Sequence, residues 1–156
     1  MNNREKLKQR LGLTDADFIK PAPQPMPWSQ PFWDGAREGR LLLKTCAACG
    51  HVDHPPYLFC TECGSERSDW RQARGIATLA AFAVNTYGVP AAFIEDLPYV
   101  LAMVDLPEGP RMISNIVDCE PNTLRNGMAL EVVFHTRDDG IVLPKWRPSQ
   151  KGGTHG

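Results

Sequence analysis

Two matched cysteine pairs hold the densest chemistry in this chain: Cys46-Ala-Ala-Cys49-Gly50 and Cys60-Thr-Glu-Cys63-Gly64, with ten residues between them. A Cys-x-x-Cys pair turns two thiolates toward one point, and the glycine that follows admits the positive φ of a tight knuckle. Two facing knuckles build a tetrahedral S₄ cage suited to Zn²⁺ or, less readily, to iron. Such a closed cage leaves no coordination position for water or substrate, so the metal expected here is structural. It should staple a ribbon too short to fold on a core of its own.

The competing uses of these cysteines are two disulfides or buried thiols. The chain opens on polar, basic Met1–Arg10 without an apolar core, unlike a signal peptide. No apolar run approaches the roughly 18 residues of a membrane span. A cytoplasmic location is therefore expected, where thiols stay reduced and paired cysteines bind metal. His51 and His54 lie in the ribbon loop as alternative ligands, and Cys119 has no partner in sequence and reads as a small core or surface residue.

The cysteines need elements to position them. Asn3–Leu11 reads as a short helix ended by Gly12, and Thr14 with Asp17 forms a weak capping box. Five prolines between Pro21 and Pro31 dictate an extended arm. Ser29–Gly39 should be a short helix with Phe32, Trp33 and Ala36 along one side. Trp28, Phe32 and Trp33 need burial, either against their own domain or against a partner protein, where large aromatics make hot spots. Arg40–Lys44 leads into the ribbon as a strand, and Trp70 closes it.

From Gly75 onward, short β-branched and apolar runs alternate with turn residues. Strands are predicted at Ile76–Asn85, Tyr99–Leu106, Met112–Val117, Leu130–Thr136 and Gly140–Pro144. Asp138-Asp139-Gly140 turns between the last two, and Asn126-Gly127 turns before the fourth. Five short strands without a long helix indicate a small Greek-key barrel of the OB type. The fold class is thus mainly β: N-terminal helices, a rubredoxin-like zinc ribbon, then a five-stranded OB-fold barrel. The predicted division is 1–27 for the first helix and arm, 28–72 for helix and ribbon, 73–148 for the barrel, and 149–156 for a disordered tail.

Charge is nearly balanced, at 17 basic against 18 acidic residues, so no basic face points to nucleic acid. The region Ile76–Val117 holds one base, Arg111, against four acids, which argues against an OB groove for single strands. No nucleophile elbow or Walker loop is present. None of His51, His54, His135 and His155 has a Ser, Cys or carboxylate at a motif spacing. This fits a helper subunit better than a stand-alone enzyme.

The order of parts then follows one template. It runs through Pro31-Phe32-Trp33-Asp34-Gly35-Ala36, Glu38-Gly39-Arg40-Leu41, the two knuckles with Pro55-Pro56 between them, and Trp70. It continues with the Gly75 strand entry, Leu124-Arg125-Asn126-Gly127-Met128 and Leu143-Pro144-Lys145-Trp146-Arg147-Pro148. Over about residues 28 to 148 the chain resembles the family pairing a rubredoxin-like zinc ribbon with an acyl-CoA-associated OB-fold. It departs at Thr61, where proline is common, and at Trp146, where phenylalanine is more usual.

The resemblance implies a non-catalytic partner of an enzyme working on CoA thioesters, foremost a thiolase-type enzyme, in a hetero-oligomer. A hot-dog-fold enoyl-CoA hydratase is the alternative partner, and a single-stranded nucleic-acid module the alternative of another class. If the barrel helps hold a CoA thioester, the loop at Tyr87 and the segment Lys145-Trp146-Arg147 are the expected contacts. Cations there would meet phosphate, and Trp146 or Tyr87 would stack on adenine; in the alternative, Trp146 covers the barrel end and both cations are solvated.

Overall fold

The computed structural model describes residues 1–150, and the expected disordered tail lies, from 151 on, outside the described residues. Helix α1 spans Asn3–Leu11; Asn2 caps it by accepting from the Glu5 amide at 2.8 Å, and Gly12 ends it at φ 67°. A single 3₁₀ turn, Asp15–Phe18, follows Thr14, with Asp17 closing the capping box. Residues 21–26 have no regular structure. They are nonetheless tied down: Arg137 donates to the Pro21 carbonyl at 2.9 Å, and Lys20 pairs with Asp96 at 2.7 Å.

The predicted helix Ser29–Gly39 is shorter: α2 spans Gln30–Arg37, preceded by a 3₁₀ turn at Pro27–Ser29. Its inner side is Phe32, Gly35 and Ala36. Gly35 is required by a close approach: a Cβ there would lie 2.7 Å from Leu42 Cγ and 2.9 Å from the Arg40 carbonyl oxygen.

The ribbon is a three-stranded sheet in the order β2-β1-β3, from β1 (Leu42–Cys46), β2 (Val52–Asp53) and β3 (Ser68–Gln72). The first strand therefore starts later than the expected Arg40–Lys44 and runs into the first cysteine. The barrel holds β4 (Ile76–Asn85), β5 (Tyr99–Asp105), β6 (Arg111–Ile116), β7 (Ala129–Thr136) and β8 (Val142–Pro148). It closes in the order β4-β5-β6-β8-β7, with β4 also paired to β7. That is the OB arrangement, in which β6 and β8 are the one parallel pair among the described residues. An irregularity between Leu79 and Ala81 bends the long β4 so that it pairs on both sides.

The last strand is a correction. It was expected at Gly140–Pro144, but β8 begins two residues later and carries Lys145, Trp146 and Arg147 inside the strand. Side chains alternate across a strand. Trp146 consequently points into the barrel, fully buried, while Lys145 and Arg147 point outward and are partly exposed.

One hydrophobic cluster runs through both parts. Leu79, Val104, Leu130 and Trp146 fill the barrel, and Phe32, Leu41 and Leu43 extend the cluster under α2 and the ribbon. Among the described residues, no helix is long and apolar enough to cross a membrane.

Candidate functional site

The structure brings the sulfurs of Cys46, Cys49, Cys60 and Cys63 together, all within 4.8 Å of one another. Each knuckle is shaped by its glycine, at φ 78° for Gly50 and 73° for Gly64. Their amides donate back to the Cys46 and Cys60 carbonyls at 2.9 Å. Cys46 Sγ lies 3.6 Å from Cys63 Sγ, and Cys49 Sγ 3.6 Å from Cys60 Sγ. A tetrahedral ion with bonds of about 2.3 Å sets its sulfurs about 3.8 Å apart, so the donor set fits Zn²⁺.

The electrostatics point the same way. The amides of Cys49 and Ala48 lie 3.5 and 3.4 Å from Cys46 Sγ and help pull that thiol down to about 6. Cys49 is pushed up to about 12: the His51 amide favours its thiolate, but hydrogen bonds with Cys63 and Cys60 and burial oppose it. Thiolates this close repel one another, and a cation among them removes the conflict. The histidines stay outside the sulfur cluster. His51 Nε2 lies 3.4 Å from Asp53, and the His54 ring sits 5.4 Å from that of Phe32.

Two contacts that position the second knuckle were not visible in the sequence. The buried Lys44 ammonium donates to the Tyr57 and Leu58 carbonyls, the latter at 3.2 Å, fixing the loop before Cys60. The Thr61 hydroxyl donates to the buried Asp53 carboxylate of β2. Thr61, the departure from the family pattern, thus anchors its knuckle by a hydrogen bond that proline could not make. Both contacts span the loop, and only their chemical types, not their pairing, are legible in sequence.

The aromatic set lies at the junction of arm, α2, ribbon and barrel. Phe32 is 7% exposed and belongs to the common core, so its ring is taken up by its own domain. Trp33 packs edge-on against it with centroids 5.2 Å apart, and Trp33 and Trp28 each keep part of their surface open. Together they line a cavity of about 410 Å³ with the ribbon loop, β6 and β8.

The segment expected to meet CoA is divided. Trp146 is 0% exposed and cannot stack on a ligand; the alternation of β8 puts it in the core. Arg147 is engaged by Glu131 at 2.8 Å. Lys145 is half-buried, and burial first, then Lys20 and Arg137, lower its pKa against the opposing pull of Asp96. Tyr87 stands 85% exposed in the β4–β5 connection. The chemistry-bearing residues of this end do not converge.

Other apolar side chains are open to solvent. Leu101 and Met103 of β5 and Ile113 of β6 lie on the outer barrel face, with Met103 opposite Ile113. Tyr57, Leu58 and Phe59 are exposed on the ribbon loop.

Comparison with known proteins gives these features a family. A model described as the ChsH2 rubredoxin-like zinc ribbon domain matches residues 33–69, and one described as the ChsH2 C-terminal OB-fold domain matches 70–135. A DUF35 domain-containing scaffold protein of Pyrococcus furiosus is 32% identical over 123 residues, covering 75% of this chain and 90% of that protein. A probable enoyl-CoA hydratase alpha subunit of Thermomonospora curvata is 34% identical over 119 residues. That match covers 76% of this chain, which spans only 37% of the subunit's length. A solved structure of an Ltp2-ChsH2(DUF35) aldolase superposes with a TM-score of 0.74 at 31% identity, over 81% of this chain and 98% of that one. The chain belongs to the ChsH2/DUF35 family, which joins a rubredoxin-like zinc ribbon to an OB-fold.

Proposed function

We propose that this chain is a non-catalytic subunit that docks on a thiolase-type enzyme acting on acyl-CoA thioesters and helps form its substrate mouth. The observation that carries this reading is the likeness, over nearly the whole of that chain, to the ChsH2(DUF35) component of an aldolase. Relatives named scaffold proteins support the non-catalytic role. One structural Zn²⁺ on Cys46, Cys49, Cys60 and Cys63 holds the ribbon in its docking shape.

The surface supports a partner of protein type. Leu101, Met103 and Ile113 lie outward on neighbouring strands, and contiguous exposed apolar area of this kind marks an interaction site. Arg111 beside them is engaged by Asp105 at 2.6 Å, which disfavours a nucleic-acid backbone as the partner. Trp28 and Trp33 extend the surface at the seam. Lys145 and Tyr87 remain the CoA contacts in this reading, without Trp146. A hot-dog-fold hydratase partner is a second reading, favoured by the hydratase alpha subunit among the relatives.

The test is co-purification from the native host, with wild type and Trp33→Ala. Wild type is expected to bring down an enzyme active on CoA thioesters, and Trp33→Ala to lose it while melting close to wild type. Wild type arriving without an enzyme would overturn the reading, and a hydratase in the complex would select the second partner.

A further inference from the structure

A second cavity, of about 690 Å³, lies against the outer face of the barrel beside the start of the arm. Its size suits a small molecule. Leu101 of β5 and Leu143 of β8 line it from the strands, and Phe93 of the 3₁₀ turn Ala91–Asp96 faces Tyr99 with ring centroids 6.4 Å apart. Its borders are tied together. Lys20 pairs with Asp96 of the β4–β5 connection at 2.7 Å, and Arg137 of the β7–β8 hairpin donates to the Pro21 carbonyl at 2.9 Å. The second and third strands of an OB barrel, with these two loops, form the side on which such barrels hold ligands.

The charges around this cavity leave one cation over. Lys20 and Asp96 satisfy each other, and Arg137 is engaged by Asp139 at 3.0 Å. Half-buried Lys145 makes no hydrogen bond or ion pair among the described residues. The groups that act on its charge are Asp96, Lys20 and Arg137, and all three line this cavity with it. None of them lines the seam cavity, so the ammonium belongs here. Glu120, the other acid of the lining, is exposed and is not among the groups acting on Lys145. Burial and two neighbouring cations disfavour the lone charge, a cost that an incoming anion would offset through charge-assisted hydrogen bonds.

We propose that this outer-face cavity binds a monocarboxylate with an apolar body, its carboxylate on the Lys145 ammonium and its body against Leu101, Leu143 and Phe93. The single uncompensated cation is matched by a single negative charge. The apolar lining supplies affinity in proportion to the area it covers, and Lys145 supplies the choice of anion over neutral ligand. The inference goes beyond the docking reading and needs no partner enzyme. Its test uses the isolated, zinc-loaded full chain, so either can fail without the other.

The probes are 2-naphthoate and its neutral isostere 2-naphthamide, followed by probe fluorescence and calorimetry. Wild type is expected to take one naphthoate per chain, about tenfold tighter than the amide, the margin that a hydrogen bond to a charged group supplies. Lys145→Met should bind both probes alike. Leu101 lines this cavity and not the seam cavity, and is 46% exposed. Leu101→Glu should therefore weaken naphthoate about tenfold with unchanged melting, through like-charge repulsion. It keeps the test decisive if Lys145→Met does not fold. Absence of saturable naphthoate binding by wild type, equal affinity for the amide, or full naphthoate affinity in Leu101→Glu would overturn the proposal.

Discussion

The ribbon and the barrel solve the same problem with different chemistry, and β1 shows both solutions on one strand. At its N-terminal end Leu43, with Leu41 just before the strand, enters the common hydrophobic cluster; at its C-terminal end Cys46 enters the sulfur set. In the barrel, Leu79, Val104, Leu130 and Trp146 are wholly enclosed, so water exclusion supplies the stability. In the ribbon beyond Leu43, the buried residues are Lys44, Thr45, Cys46, Asp53 and Cys60. Those side chains do not gain by leaving water unless each finds a partner. The ribbon therefore carries a donor set that a metal ion could complete, whereas the barrel is completed by packing alone.

The largest effect should come from breaking the sulfur set. Structural zinc in small ribbons is worth on the order of 10 kcal/mol, and that binding energy is also folding energy. Cys60→Ser, or a strong chelator, should abolish protection of the amides between Cys46 and Gln72. Hydrogen exchange should show the barrel strands still protected. Elemental analysis of untreated protein should give about one zinc per chain, and loss of barrel protection together with the ribbon would break the contrast.

The converse change is Trp146→Ala, which opens the barrel core at a cost of about 3–5 kcal/mol. Thermal melting should fall sharply, while zinc content of the protein that folds stays at wild-type level. Trp146→Phe separates packing from polarity. The indole Nε1 is buried without a hydrogen-bond partner among the described residues, a cost of roughly 1–3 kcal/mol that phenylalanine avoids. Phenylalanine forfeits some volume in exchange, so stability should change by less than about 1 kcal/mol, read from denaturant midpoints.

Next in size is the weld between the two parts. Gly35→Ala forces a methyl against Leu42 and the Arg40 carbonyl, for about 1–3 kcal/mol of overpacking. An unchanged melting temperature would show that α2 does not need its close seat on β1.

A separate effect, spread over a pH window, lies in the titration of His54. Burial pushes His54 down to about 4 from an ordinary 6.5. The unfolded chain then binds the proton more readily than the folded one, so the contribution of His54 is complete above about 6.5. It is lost as pH falls toward about 4. His54→Gln should show a shallower loss of stability across that window in denaturant titrations, and parallel curves would exclude the effect.

Much of this was legible because its signals are local. Each knuckle is read from five consecutive residues, and the turn at Gly140 from three. The strand β4 matches its predicted bounds, since turn residues flank an uninterrupted run. The end of the barrel was misplaced for a physical reason. Proline supplies no amide to a sheet, yet β8 runs through Pro144 and includes Pro148. Both residues pair in register with β7, opposite Phe134 and Leu130. The facing β6 pairs with β8 only at Trp146, so missing amides at Pro144 and Pro148 are tolerated on that side. Extending the strand by two turns of alternation moved Trp146 from the surface to the core. The ties of Lys44 to the Tyr57 carbonyl and of Thr61 to Asp53 were illegible for another reason: they join residues that only the folded loop brings together.

Native mass spectrometry of the chain isolated from its own host tests the account most directly, because it reads metal and partner in one measurement. The predicted mass is that of a hetero-oligomer in which each copy of this chain carries one zinc and sits beside a subunit of an enzyme acting on CoA thioesters. A chain that flies alone or only with copies of itself, zinc-loaded and folded, would contradict the claim that it exists to complete another enzyme.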